Sequence, residues 1–396
     1  MDLNRPVILL AENPIPAGHR VSRPHYLARA LVKAGFKVTT ITFRAEGGDP
    51  IENCRHLYLP LRIHQFGLVR RLTFLLNFLI LIKEIVASRP ALLHGQGLLP
   101  GLMVVAAARI FRLPCLVGLP DFNGVLYGSF ELPGGRVVGR LLVRLENLVA
   151  GWADALVVES PLARTEWIGR GLSPEKIHPI HHAADASLFS PQISGRWIRE
   201  RFGLKDDLLI SFHGDIGHDD GVDVLIEAFR KMSAHHPQAR LIIIGHGPPA
   251  TMEMLATQAS DLNGRVIFTG WVPYLQVPHY LAAVDIGVAP FRSSLYTNTI
   301  IPTKALEVMA MGKALVASDL TTFGQDLRSG HNCLLVRPGE VDDLAGALIR
   351  LAGDEALRKR VGRNGRALIE EKLTWEIKIQ EEVKLVESLT GPRTSP

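Results

Sequence analysis

Cysteine is scarce in this chain. Cys54, Cys115 and Cys333 are the only three in 396 residues, an odd and scattered set without a Cys-x-x-Cys spacing. That excludes a disulfide framework and a structural zinc site, and a reducing compartment is expected. Long apolar runs are lacking too. The longest, Leu72 to Ile82, is interrupted by Thr73 and Asn77 and would span only about 16 Å as a helix, short of a bilayer core. Met1-Asp2-Leu3-Asn4-Arg5-Pro6 sets an acid and a proline where a secretory leader needs basic then apolar residues, so no export signal is expected. No Lys/Arg run with interleaved aromatics occurs, which argues against nucleic acid as a partner. The adjacent His181 and His182 cannot form a metal site on a short loop by themselves, so no metal is expected.

What is present is the composition of a folded protein, 47% hydrophobic and 21% charged. The length suits two domains of about 200 residues each. A net charge of +5 and a pI near 9.1 favour an anionic partner, either nucleotide phosphates or a membrane face.

Strand, loop and helix alternate through both halves. Val7–Leu10 and Val38–Thr42 read as buried strands around a helix over about Arg23–Ala34 that Gly35 ends. Leu92–His94, Cys115–Val117 and Ala155–Val158 continue the series. Near Asp185–Pro191 the rhythm breaks into a polar, proline-marked passage. A second series follows: strand Leu208–Phe212, helix Val222–Met232, then strands Leu241–Ile244, Val266–Phe268, Ile286–Ala289 and Ala314–Ala317. Such alternation predicts parallel sheets wound on both faces, with ligands at the carboxyl ends of the strands.

The most informative stretch is Pro302–Asp319. Pro302 suits a first helical turn, Ala305 to Ala310 continue the helix, and Gly312 stops it before the buried strand Ala314–Ala317. Thr303 and Lys304 stand in the first turn, where free N–H groups and the dipole attract an anion, and Glu307 follows one turn later. This stretch resembles the C-terminal signature of retaining, nucleotide-sugar-dependent glycosyltransferases of family 4. The likeness extends over nearly the whole chain and is strongest over 206–335.

The resemblance implies two facing Rossmann-like domains of the GT-B type with a cleft between them. Residues 1–185 would form the acceptor domain, 186–206 the linker, 207–372 the donor-nucleotide domain, and 373–396 a helix packing back on the first domain. It also implies donor contacts. Lys304 and the helix amides would hold the diphosphate and Glu307 the ribose, with Gly214, Thr299, Pro302 and Thr303 nearby. Gly245-His246-Gly247-Pro248 resembles the family's Gly-x-Gly-Pro turn and reads equally well as a tight loop that needs permissive glycines, and Val272 lies in the loop whose backbone reads the base. Trp271 could cover the base but suits the core better. Asp285 and Pro290 read as structural.

In the first domain, Gly18, His19, Arg20 and His94 fall at acceptor positions, although a lone His94 after two leucines reads more readily as a satisfied structural histidine. Asp121 stands where a catalytic-region group would take the acceptor's proton.

Several positions depart from the pattern: Pro120 stands where the family often has a His before the Asp, His181–Ala184 differ from the family's Pro-Asn-Gly-x, and three more residues bear on the donor. Asp215 and Asp220 stand where the family usually has an Arg and a Lys, and Thr299 where many members have a second Glu. Two carboxylates repel a diphosphate. Either Lys304 and the helix amides carry its charge, or a divalent cation bridges, or catalysis is lost; the first is favoured. No acid occurs in Phe291–Thr299, so Thr297, Asn298, Thr299 or backbone must replace the missing Glu.

The expected activity is transfer of a sugar from a nucleoside diphosphate to a hydroxyl of a glycan or glycolipid, without a cofactor. A catalytically silent donor-binding subunit and a nucleotide-sugar epimerase are the alternatives. Arg70, Arg71 and Lys83 at the ends of an apolar helix suggest a cytoplasmic protein touching an anionic inner-membrane face.

Overall fold

The computed structural model describes residues 6–12, 22–43, 50–59, 68–120, 122, 135–323 and 326–391, with the backbone alone at 59, 68–75, 135–136 and 323. Two compact units are present: residues 1–181 with 376–396, and residues 182–375.

The first unit is built on a parallel sheet of seven strands. They are β1 (Val7–Ala11), β2 (Val38–Phe43), β3 (Cys54–Leu59), β4 (Leu92–Gln96), β5 (Cys115–Gly118), β6 (Ala155–Val158) and β7 (Ile177–Pro179), ordered β3-β2-β1-β4-β5-β6-β7. β1 is an unbroken apolar run, and β4, although it carries His94 and Gln96, is buried along its whole length, because both faces of a parallel sheet are covered. The crossover helices are α1 (Arg23–Lys33), α2 (Leu68–Ser88), α3 (Leu98–Phe111), α4 (Gly135–Trp152) and α5 (Pro161–Gly169). In α1, Pro24 follows the N-cap Ser22 and the chain leaves the helix before Gly35, as the pattern anticipates.

The second unit opens with the short α6 (Arg196–Arg201). Its strands are β8 (Leu208–His213), β9 (Ala239–Ile244), β10 (Val266–Gly270), β11 (Ile286–Ala289), β12 (Ala314–Ser318) and β13 (Leu334–Val336), all parallel and ordered β10-β9-β8-β11-β12-β13. Helices α7 (Val222–His235), α8 (Pro249–Gln258), α9 (Val277–Ala283), α10 (Leu295–Thr299), α11 (Thr303–Ala310), α12 (Val341–Gly353) and α13 (Glu355–Lys372) cover it. Alternate residues of β9 enter opposite cores: Ile242 and Ile244 one, Leu241 and Ile243 the other.

The segment expected as a linker, 186–206, is part of this unit. Phe189, Ile198 and Leu204 are buried in one of its cores, and the units divide at His181/His182 instead. A polar passage with three well-spaced apolar residues found a core to fill.

After the second unit, α14 (Trp375–Thr390) returns to the first. Its Glu382 is fully buried, with Oε1 3.0 Å from His94 Nε2 of β4 and Oε2 3.5 Å from Arg23 Nη1 of α1. Arg23 Nη2 also donates to the Ile180 carbonyl at 2.6 Å. One carboxylate thus joins the last helix to the first helix and a central strand. Removing it takes a carboxylate partner from a buried guanidinium and a buried imidazole. Glu382→Ala should therefore destabilise the first unit by about 3–5 kcal/mol, read as a lowered denaturant midpoint. A shift of under about 1 kcal/mol would show that the pair does not hold α14.

Candidate functional site

The strongest constellation lies at the carboxyl ends of β8, β9, β10 and β11. β8 ends at His213, and Gly214 turns the chain out of the sheet with φ +120° while its N–H still donates to Ile244 O at 2.9 Å. A Cβ at Gly214 would lie 3.1 Å from Lys304 Cε and 3.2 Å from Nζ, so any side chain there would press on the end of the lysine, and the positive φ itself favours glycine. The loop returns through a 3₁₀ turn at His218–Asp220 to α7.

Gly245 and Gly247 play a different part. A Cβ at Gly245 would fall 1.9 Å from Gly214 O, and one at Gly247 2.2 Å from Ile216 O, while Ile216 N donates to His246 O at 3.0 Å. Their bareness lets the turn after β9 lie directly on the Gly214 loop. Packing alone therefore requires both glycines.

Helix α11 begins at Thr303, with buried Pro302 as its N-cap instead of its first turn. Lys304 is mostly buried. Its Nζ lies 2.5 Å from Asp220 Oδ1 and 4.4 and 4.7 Å from the ring centres of Phe212 and Phe291. Two aromatic faces and a carboxylate fix a cation that would otherwise sample many rotamers. Asp220 is held in turn, since its Oδ2 accepts from Gly217 N at 2.9 Å.

One helical turn on, Glu307 is 6% exposed. Its Oε2 pairs with His213 Nε2 at 2.8 Å, and its Oε1 accepts from the Tyr274 hydroxyl at 2.6 Å. A carboxylate has about four acceptor positions, so capacity remains beside these two bonds.

The acid-free segment before α11 is tied inward. Thr297 and Thr299 are fully buried. Thr297 Oγ1 donates to Arg292 O at 2.7 Å, and Thr299 Oγ1 to the Leu295 and Tyr296 carbonyls at 2.9 and 3.0 Å. Arg292 pairs with Asp223 at 2.5 Å, and its N–H donates to Asp219 O at 2.9 Å. The two hydroxyls thus serve the turn.

Trp271 corrects an expectation. It is 59% exposed, because Gly270, at φ +69°, turns the chain out of β10. Val272 beside it is half-buried against the core. Asp285 is structural as read, its Oδ2 accepting from Arg199 Nη2 and Leu209 N at 2.9 Å each.

His94, read as an acceptor contact, is 1% exposed and turned toward Glu382, the arrangement of a satisfied core histidine. Asp121, Gly18, His19 and Arg20 lie outside the described residues. Among the described residues no group of three His, Cys, Asp or Glu is placed to hold a metal ion. Burial pushes the three thiols up to about 12, which removes them as nucleophiles at neutral pH.

Sequence reading passed over His213, Tyr274, Phe212 and Phe291. A histidine closing an otherwise apolar strand was the available signal. The tyrosine carried none, because its target lies 33 residues away in sequence.

Comparison with known proteins adds the family. A model described as glycosyl transferases group 1 matches residues 207–354, and one described as glycosyl transferase 4-like domain matches 21–183. The chain belongs to the family 4-like glycosyltransferases. Its architecture is GT-B. Among curated relatives, alpha-D-kanosaminyltransferase of Streptomyces kanamyceticus is 26% identical over 239 residues, 58% of this chain and 61% of that one. The matched region thus spans less than two thirds of that relative's length.

Two solved structures cover more. Sucrose-phosphate synthase from Thermosynechococcus elongatus superposes with a TM-score of 0.79 at 23% identity, covering 97% of this chain and 99% of its own. Anabaena HepE, solved in complex with UDP and glucose, gives 0.75 at 19% identity over 97% and 100%. At these identities the likeness is one of fold.

Tyr274→Phe should destabilise the second unit by about 1–3 kcal/mol, because it deprives a buried carboxylate oxygen of its donor. In a double-mutant cycle with Glu307→Gln, denaturant unfolding should show a coupling of about 0.5–3 kcal/mol. Strict additivity would mean that the 2.6 Å contact contributes nothing.

Proposed function

We propose that this chain transfers a glycosyl group from a nucleoside-diphosphate sugar to a hydroxyl of a glycan or glycolipid, with retention, in cell-surface polysaccharide or glycolipid synthesis. The observation that carries this is the pairing on α11 of a fixed ammonium, Lys304, with a carboxylate one turn away, Glu307, beside a bare glycine turn. A diphosphate seated on the Gly214 turn would meet Lys304 and the first-turn amides of α11. The ribose hydroxyls would donate to Glu307, and exposed Trp271 would cover the base. Family membership and a structural neighbour solved with UDP and glucose support the same reading.

The proposed chemistry is a front-face displacement. The acceptor oxygen bonds to the anomeric carbon on the face that the phosphate leaves, and the carbon–oxygen bond to phosphate breaks. Its electron pair stays on the diphosphate, and the hydroxyl proton passes to Asp121. Lys304 and the helix amides stabilise the charge that develops on the leaving group, so no metal is invoked. The notional repulsion from Asp220 is offset, because that carboxylate is the one paired with Lys304.

The same pairing favours a second reading. If Lys304 never leaves Asp220, the chain binds donor weakly and turns nothing over. Release of nucleoside diphosphate from a panel of nucleotide sugars, with and without acceptor, separates the two.

The reading extends to place. Among the described residues no helix is long and apolar enough to cross a membrane. We infer reversible contact with an anionic cytoplasmic membrane face from the basic excess and from α2, whose Lys83 is exposed; the side chains of Arg70 and Arg71 lie outside the described residues.

Lys304→Ala should lower nucleoside diphosphate affinity by one to two decades, the equivalent of about 1.5–3 kcal/mol, in titration calorimetry. Asp220→Asn should leave it equal or raise it. Glu307→Gln should weaken nucleoside diphosphates while sparing free pyrophosphate. Equal loss of both ligands would show damage to α11 and sink the ribose assignment.

A further inference from the structure

The outer face of α4 is apolar and basic at once. Val137, Leu141, Leu148 and Trp152 are 60%, 57%, 38% and 44% exposed, and Arg140 and Arg144 are exposed between them. These positions recur at helical spacing on one side, while Gly139, Glu146, Val149 and Ala150 on the other are buried. The stripe runs for about 22 Å at 1.5 Å per residue. An ordinary surface helix hides this many aliphatic groups. Here α4 buries one apolar side and exposes another.

The neighbouring helices continue the character. α3 packs against both α2 and α4. Its end exposes Ile110, at 66%, between Arg109 and Arg112, and Arg109 lies over the Trp152 ring at 5.9 Å. On α2, Leu79 and Val86 are 65% and 63% exposed. The three helices together carry seven basic residues and two acids. Both acids, Glu84 and Glu146, are buried and paired, with Arg55 and Arg170. No negative charge from these helices faces outward.

We propose that this α4-centred face is the surface by which the protein lies on an anionic lipid bilayer. The inference rests on the membrane reading above and assigns it to particular residues. A bilayer interface suits interleaved arginine and leucine: acyl chains take the aliphatic groups, and the guanidinium groups reach back to phosphates. Trp152 at the helix end suits the headgroup level. A protein partner would instead have to supply a matched carboxylate for each arginine within an apolar patch.

The test is flotation of the whole chain with vesicles of phosphatidylcholine alone or with phosphatidylglycerol. Wild-type protein should float with the anionic vesicles and much less with the neutral ones. Arg140→Gln with Arg144→Gln should lower partition into anionic vesicles by about tenfold to thirtyfold, given the usual contribution of each basic residue near such a surface. Leu141→Ser with Leu148→Ser should remove the part of the binding that survives high salt, where the electrostatic part is screened. Nucleoside diphosphate binding, measured on the same variants, should be unchanged and certifies that they are folded.

Wild-type protein that ignores anionic vesicles overturns the membrane reading itself. Wild-type protein that floats while both variants float equally well overturns only the assignment to α4. Self-association of the wild type that Leu141→Ser abolishes, without flotation, would give the face to a second copy and overturn the proposal.

Discussion

A carboxylate taken out of water must be answered by donors, and Glu307 is answered twice. His213 closes β8 and Tyr274 opens the turn before α9, so one buried anion ties a strand end, a loop and α11 together. The direction of α11 follows from that anchoring, and the direction of α11 places Lys304. The interaction is costly if one partner is lost, which is why it fixes geometry better than an exposed ion pair could.

The loop between Gly214 and Gly221 shows charge being redistributed without loss of architecture. Two aspartates stand where basic residues are usual for the family, yet one of them engages the lysine of α11 and also caps its own turn through Gly217. Arg292 is engaged with Asp223, and Ser294 Oγ donates to Asp219 at 3.2 Å. The lysine of α11 is thus already in contact with an anion, so the phosphate contact proposed for it would be an exchange of partners.

Much of the fold was legible because parallel strands buried on both faces are written as unbroken apolar runs. β1, β8, β9 and β12 could be read directly. The strands missed were β3, β7 and β13, all at or beside sheet edges. β3 mixes Arg55, His56 and Tyr58 into its six residues, and β7 and β13 have three residues each. An edge strand needs less hydrophobicity, so its pattern is weak. In the site, Lys304 and Glu307 were legible from their place after a proline. Their partners were not: Asp220 looked repulsive until its distance from Lys304 was known. Trp271 looked like core because a large aromatic beside a strand usually is.

The return of α14 to the first unit has a consequence for synthesis on the ribosome. Glu382, the partner of Arg23 and His94, is made more than 280 residues after either of them. Until it emerges, the nascent first unit lacks the carboxylate that the guanidinium and the imidazole contact in the finished fold. The second unit, continuous from residue 182 to 375, has no such debt and can close as soon as its own strands are available. The half of the chain that is translated first is therefore the half whose core is completed last.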